Sequence, residues 1–247
     1  MSKICVVLHL KPGFSVENAE EELSSLQGKD FFTIEDSNQL FIGGMFPKHV
    51  NWDSCTTVTF SKEETVNFDS QWAQFAPNFY EGKAHLPIKD KTLQLIPGEG
   101  FGDFSHPTTQ LIMEMMEEHV FQKAVIDIGC GSGILSLAAI LLGATKAYGV
   151  DIDPAAILHA KKNALINNLP AVFSLTYPKR KFDLALMNMT FLEQKSVLQK
   201  RKHFPFWITS GILKEQESEY LAFTKSLHWK LLDIRRKENW SGFLLQS

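Results

Sequence analysis

Two carboxylates, three alternating glycines and one carboxamide are the residues whose types and spacing could do chemistry here. Val125-Ile126-Asp127-Ile128 is a short apolar run around an acid. Gly129-Cys130-Gly131-Ser132-Gly133 follows, and an apolar helical pattern begins at Ile134. That order reads as strand, tight turn, helix. Glycines suit such a turn because the backbone bends sharply and a ligand can approach it without meeting a Cβ. The first helical turn also offers N–H groups to a carboxylate or phosphate. A dinucleotide loop, G-x-G-x-x-G, would put its third glycine on Ile134, so that reading fails. The pattern is instead acid-x-G-x-G-x-G, and an acid at Asp127 would repel a pyrophosphate while attracting a cation.

The next apolar run, Lys146 to Val150, ends at Asp151, roughly 20 residues after the loop, where a ribose-binding carboxylate is expected. Asn188 follows the fourth such run, and its carboxamide can both accept and donate. Two acids at two strand ends point to a nucleoside with a cationic centre, such as S-adenosylmethionine. Methyl transfer of that kind needs no metal; alignment is the protein's share. Were the methyl acceptor a lysine amine, with pKa about 10.4, it would have to lose its proton first, which costs roughly 4.6 kcal/mol at pH 7. Burial and a nearby positive charge can shift the amine by that much. The plainer alternatives are a bare strand-to-helix turn at the glycines, a loop cap at Asp151, a turn residue at Asn188 and a small filler at Cys130.

These residues need a frame. Residues 3–10 read as a strand, Ser15 as the cap of a helix to about Leu26, and Phe31–Ile34 with Gln39–Ile42 as a hairpin turning at Glu35-Asp36-Ser37-Asn38. Thr56–Phe60 alternates like a strand. Phe68–Phe75 reads as a helix with Phe68 and Trp72 on one face. These elements predict a small α+β domain over residues 1–81, then a linker at 82–105 carrying a strand at Thr92–Ile96. From residue 106 the pattern alternates. Helices are expected from Pro107 to Phe121, Ile134 to Leu142, Asp153-Pro154 to Asn167, and Glu215 to Leu227. Strands are expected at Val172–Leu175, Phe182–Met187, Phe204–Thr209, Lys230–Ile234 and Gly242–Leu245. With the two strands beside the acids, this predicts a doubly wound, seven-stranded, mostly parallel sheet over 106–247, closed by an antiparallel hairpin.

Composition narrows the partners. Residues 1–90 carry 7 basic and 13 acidic side chains, and residues 91–247 carry 18 and 15. An acidic front is repelled by a phosphate backbone and can steer a basic protein inward. The basic triplets Lys179-Arg180-Lys181, Lys200-Arg201-Lys202 and Arg235-Arg236-Lys237 read as solvated turns, with no direct nucleic-acid contact expected. Cys5, Cys55 and Cys130 lack metal-ligand spacing, as do His106, His159, His203 and His228, so no metal is expected. The odd cysteine count suggests a reducing cytoplasm. Lys3-Ile4-Cys5-Val6-Val7-Leu8 is too short for a secretory core, and no apolar run reaches membrane-spanning length.

Seven such strands, with the acid-glycine loop after the first and an acid after the second, resemble the class I S-adenosylmethionine-dependent methyltransferases, whose fold is Rossmann-like. Pro97-Gly98-Glu99-Gly100-Phe101-Gly102 and Ser105-His106-Pro107-Thr108-Thr109 further resemble the P-G-x-x-F-G-T-G-x-H-x-T-T segment of the bacterial ribosomal-protein methyltransferases of the PrmA family. Asp151-Ile152-Asp153-Pro154, Asn188 and Ser210-Gly211-Ile212-Leu213 are similar to that family too. The resemblance implies methylation of amino groups on the eleventh protein of the large ribosomal subunit. It places Thr108, Asp127, Gly129, Gly131, Gly133, Asp151 and Asn188 at the cofactor, with Asn188 also orienting the acceptor. Three departures stand out: Asp103-Phe104 replaces Thr-Gly, Ser174-Leu175-Thr176-Tyr177 supplies no acid after the third strand, and Met189 varies the Asn-Leu or Asn-Ile segment. The rival readings are methylation of RNA or a small molecule, and cofactor binding without catalysis.

Overall fold

The computed structural model describes residues 3–36, 39–47, 49–64, 68–98, 100–200 and 204–247. Ser37-Asn38 of the expected turn, Glu99 of the P-G-x-x-F-G segment, Arg201-Lys202-His203 and the side chains of Cys5 and Phe68 lie outside this description. Two units emerge, Met1–Asn67 and Phe68–Ser247.

The first unit runs β1 (Lys3–Leu10), α1 (Val16–Ser25), β2 (Lys29–Asp36), β3 (Gln39–Pro47) and β4 (Val58–Glu64), with a 3-10 turn at Trp52–Ser54. Its strands form one antiparallel sheet in the order β2-β3-β1-β4. That is the split β-α-β plan with its second helix cut to one turn. Ser15 starts α1 as expected: its Oγ accepts from the Asn18 N–H, and Asn18 Oδ1 accepts from the Ser15 N–H. Ala19 and Leu23 of α1 pack with Val6, Leu8, Ile42 and Phe46 of the sheet. Glu22 ties the other side of α1 to the approach to β4. Burial raises its carboxyl, but hydrogen bonds from the amides and hydroxyls of Thr56 and Thr57 outweigh that and hold it at about 2.

The second unit opens with α2 (Phe68–Phe75) and an antiparallel meander of β5 (Phe79–Tyr80), β6 (Lys83–Ile88) and β7 (Lys91–Leu95). The boundary therefore falls at 67/68, whereas sequence reading puts it at 81/82 and a linker at 82–105. The reason is burial. Ala84, Leu86, Leu93 and Leu95 alternate onto one face of the meander and enter the same core as Ile112, Leu137 and Ile157, so this stretch is a wall of the second unit.

Then come α3 (Pro107–His119), β8 (Ala124–Ile128), α4 (Ile134–Leu141), β9 (Lys146–Val150), α5 (Pro154–Ile166), β10 (Val172–Ser174), β11 (Leu184–Asn188), α6 (Phe191–Lys200), β12 (Phe206–Leu213), α7 (Glu217–Ser226), β13 (Lys230–Lys237) and β14 (Trp240–Gln246). The seven-stranded sheet has the order β10-β9-β8-β11-β12-β14-β13, parallel except where β14 joins β12 and β13. The expected doubly wound sheet with a terminal hairpin is what forms. Residues of α3, α4 and α5 fill the core on one face, and residues of α6 and α7 fill it on the other, around Trp207, Tyr220 and Phe243. Strand order reverses between β8 and β11, so the crevice beyond their carboxyl ends is the place for a ligand. Sequence reading passes over α6. Thr190-x-x-Glu193 announces it: Glu193 Oε2 accepts from both the N–H and the hydroxyl of Thr190, one half of a capping box.

Candidate functional site

The crevice is walled by the ends of β8, β9 and β11, which carry Asp127, Asp151 and Asn188. Gly129, Gly131 and Gly133 all have positive φ, at 73°, 52° and 82°, so local backbone geometry selects glycine at each. Gly133 caps α4 without a side chain.

A phosphate-binding loop keeps its amides free for an anion; this loop does not. Gly129 N and Cys130 N donate to Val150 O, Gly131 N to Asp151 Oδ2 at 3.0 Å, Ser132 N to Phe101 O, Gly133 N to Cys130 O and Ser136 N to Asp127 Oδ2 at 3.1 Å. What the site offers instead is acceptors. Asp127 is buried; its Oδ2 takes the Ser136 amide and hydroxyl, while its Oδ1 has no partner among the described residues. Burial pushes this carboxyl up to about 7; the Ser136 hydrogen bonds oppose the rise and the charge of Asp151 adds to it. Asp151 is half-buried, with one oxygen on the Gly131 amide and the other on the Asp153 amide at 2.9 Å. A carboxylate has about four lone-pair sites, so Asp151 retains capacity for ligand hydroxyls. A ligand rich in donors and positive charge fits; a pyrophosphate does not.

The segment from Ile96 to Gly102 packs directly on the loop, which explains its glycines. A Cβ on Gly100 would meet the Gly131 carbonyl carbon at 2.5 Å, and one on Gly131 would collide with Phe101 O. Sequence reasoning left the space above Gly131 to a ligand; the structure fills it with the protein's own chain. Gly131→Ala should therefore destabilise the fold by about 1–2 kcal/mol from the left-handed φ alone, seen as a lower thermal midpoint before any ligand is added.

One face of α5 fastens that segment. His159, Asn163 and Asn167 stand four residues apart. His159 Nδ1 accepts from Gly100 N at 3.1 Å and its Nε2 lies 2.7 Å from Ile96 O. Asn163 accepts from Ile96 N and donates to Ser132 O, joining segment to loop, and Asn167 pairs with both the N–H and the carbonyl of Gln94. A sequence scan for metal ligands discards His159. Polar residues recurring every four positions along one face of the helix, among Ala156, Ala160 and Ala164, are the signal that could have found this ladder.

The first turn of α3 forms another wall. Thr108 is buried and its Oγ1 lies 2.8 Å from His106 Nδ1, at the helix cap. Thr109, which sequence reading left out, is the residue that meets Asn188: Asn188 Nδ2 donates to its Oγ1 at 3.2 Å. His106 sits edge-on to Phe101 and Trp240, at 5.7 and 5.1 Å between ring centroids. Burial holds its imidazole below the ordinary histidine range, against the opposing pull of Asp103 and Glu238. Cys130 is buried and its thiol is pushed up chiefly by that burial, the environment of an inert thiol.

The third basic triplet is paired with acids on its neighbours, and Arg201-Lys202 of the second lies outside the described residues. Arg235 pairs with Asp233 and Glu118, Arg236 with Glu217, and Lys237 with Glu114. Lys179-Arg180-Lys181 precedes β11, at the opposite edge of the sheet. Among the described residues, no cluster of three or more His, Cys, Asp or Glu could hold a metal, and no helix is long and apolar enough to cross a membrane.

Comparison with known proteins agrees with this geometry. The profile of one protein family, Ribosomal protein L11 methyltransferase (PrmA), matches residues 76–247. A Ribosomal protein L11 methyltransferase of Dictyoglomus thermophilum is 35% identical over 197 residues, which is 72% of this chain and 65% of that protein. One of Fusobacterium nucleatum is 32% identical over 161 residues, 60% of this chain and 52% of that protein. The chain thus spans between half and two thirds of the length of these relatives. Among solved structures, a ribosomal protein L11 methylase from Lactobacillus delbrueckii subsp. bulgaricus superposes with a TM-score of 0.60 at 28% identity, over 65% of this chain and 89% of that one.

Proposed function

This chain belongs to the ribosomal protein L11 methyltransferase (PrmA) family, and we propose that it transfers methyl groups from S-adenosylmethionine to amino groups, a lysine side chain or an N-terminal amine, of a large-subunit ribosomal protein. The observation that carries the reading is the inverted polarity of the glycine loop: its amides are spent within the protein, and buried or half-buried acceptors remain at Asp127 and Asp151. When bound, the sulfonium cofactor supplies an electrophilic methyl group. Asp127 Oδ1 would take a donor of its cationic amino-acid end, and Asp151 would accept from its ribose hydroxyls. Asn188, held by Thr109 through Nδ2, keeps Oδ1 to accept from an acceptor amine and so aim the nitrogen lone pair. Burial of the acceptor amine beside the positive sulfonium would favour its neutral form.

The acidic first unit is assigned to capture of a basic ribosomal protein, by charge sign. Labelled cofactor incubated with ribosomes from cells lacking this enzyme tests the proposal: label should enter a ribosomal protein, and the acceptor KM should rise with ionic strength. Label found in RNA or in small molecules would sink it, and cofactor binding with no transfer to any fraction would favour a non-catalytic protein.

Asp127 supplies a separate test. Its folded-state carboxyl lies above the ordinary value of 3.8, at about 7, so the folded protein holds the extra proton. Stability from this group is full below the ordinary carboxylate range, declines as pH rises toward about 7 and is flat above. A cation at Oδ1 should pull that proton off. Calorimetry at pH 6.5 in buffers of different ionisation enthalpy should show proton release on cofactor binding, and affinity should rise toward pH 7. Uptake of protons, or no change in both, would remove Asp127 from the cofactor's cationic end.

A further inference from the structure

Gln194 is an odd residue for its place. Phe191, Gln194 and Leu198 form the buried stripe of α6, and an apolar residue at the middle position would cost nothing in desolvation. The buried Gln194 amide is instead fully engaged. Its Nε2 donates to Met189 O at 2.7 Å and to Ser210 O at 2.8 Å, and its Oε1 accepts from the Tyr220 hydroxyl at 2.8 Å. Tyr220 OH is also 2.8 Å from Thr209 Oγ1. Both acceptor carbonyls belong to the backbone that seats Asn188. The Met189 N–H donates to Ser210 O at 3.2 Å, so the residue next to Asn188 is held at its amide by β12 and at its carbonyl by Gln194. The β12·β14 register shifts between Thr209 and Ile212, a bulge that presents Ser210 to this contact. A Cβ at Gly211 would collide with Met189 O, which shows how tightly the two segments abut.

We propose that Gln194 is a positioning residue for methyl transfer: with Tyr220 behind it, it clamps the Asn188-Met189 backbone to the β12 bulge and so fixes where the Asn188 carboxamide stands. The inference rests on the assignment of Asn188 to the acceptor amine. It explains a polar network of Gln194, Tyr220 and Thr209 inside an otherwise apolar and aromatic layer. A network serving stability alone would be replaceable by well-packed apolar side chains.

Gln194→Met in the full chain keeps length and removes the clamp. Expected are a kcat lower by about 10- to 100-fold, since a misplacement of about 1 Å can cost 10²-fold, a cofactor affinity within about threefold by calorimetry, and faster amide hydrogen exchange across residues 188–191. Tyr220→Phe removes only one hydroxyl and carries the same test should Gln194→Met not fold, with kcat lower by about 3- to 10-fold. The two effects should be less than additive in the double variant, because they act through one chain of hydrogen bonds. Normal turnover, unchanged exchange at 188–191, or a parallel loss of cofactor binding in these variants would each overturn the proposal. A wild-type chain that methylates no ribosomal protein, with exchange at 188–191 still dependent on Gln194, would overturn the acceptor assignment on which the catalytic role of the clamp rests.

Discussion

Asn188→Ala should leave S-adenosylmethionine affinity nearly intact and lower methyl transfer at saturating substrates by about 100-fold. The side chain is half-buried at the end of β11, one Nδ2 hydrogen is given to Thr109 Oγ1, and Oδ1 is the acceptor placed to orient an incoming amine. An interaction made mainly as the nitrogen reaches the methyl carbon shows itself as a loss in kcat with cofactor binding preserved, and alignment of this kind commonly carries about two orders of magnitude. Single-turnover transfer from labelled cofactor, beside calorimetric titration of the same preparation, separates the two quantities. Thr109→Val, which frees the Asn188 rotamer without deleting its amide, should give a smaller loss of the same kind. An Asn188→Ala enzyme with normal turnover would take Asn188 out of the chemistry.

Asp151→Ala should act in the opposite sense, on binding. Loss of one charge-assisted hydrogen bond to a ribose hydroxyl costs about 1.5–3 kcal/mol, a fall in cofactor affinity of roughly 10- to 150-fold. The structure adds a second contribution. Asp151 also accepts from the Gly131 and Asp153 amides, so its removal leaves the middle of the glycine loop with an unpaired donor and should lower thermal stability even without cofactor. Asp151→Asn helps to separate the two: its carbonyl can still serve one amide, so stability should partly recover while affinity stays low. Full affinity in both variants would return Asp151 to a purely structural role.

The glycine loop illustrates what local pattern can carry. Positive φ at Gly129, Gly131 and Gly133 is a property of single residues, written in their identity. The acid at Asp127 and the acid at Asp151 sit at strand ends because apolar runs stop there. Alternation of strand and helix signals from Pro107 onward was enough to anticipate a doubly wound sheet with a terminal hairpin, because each element carries its own period and the crossover rules leave few ways to join them. The same local reasoning missed α6, whose Thr190-x-x-Glu193 start is short and whose buried stripe is broken by Gln194. It also read residues 82–105, which hold β6 and β7 of the meander, as a linker with one strand, because short strands beside Pro87 and Pro97 look like connections until their apolar sides find a core.

What the sequence by itself determined was the inventory: the carboxylates, the carboxamide, the glycines, and the strand ends that carry them. Tertiary structure alone decided what those groups are free to do. Local pattern leaves the loop amides open to an anion; Val150, Asp151 and Phe101 consume them, and a site of donors becomes a site of acceptors. Asn188 finds its partner in Thr109, 79 residues earlier, and Gln94, Ile96 and Gly100 are held by a ladder on α5 more than 50 residues away. Local period and residue type report the conformation of a few consecutive residues. Hydrogen-bond capacity at a site is settled by groups brought together across the chain, and that pairing exists only once the sheet has closed and the helices have packed upon it.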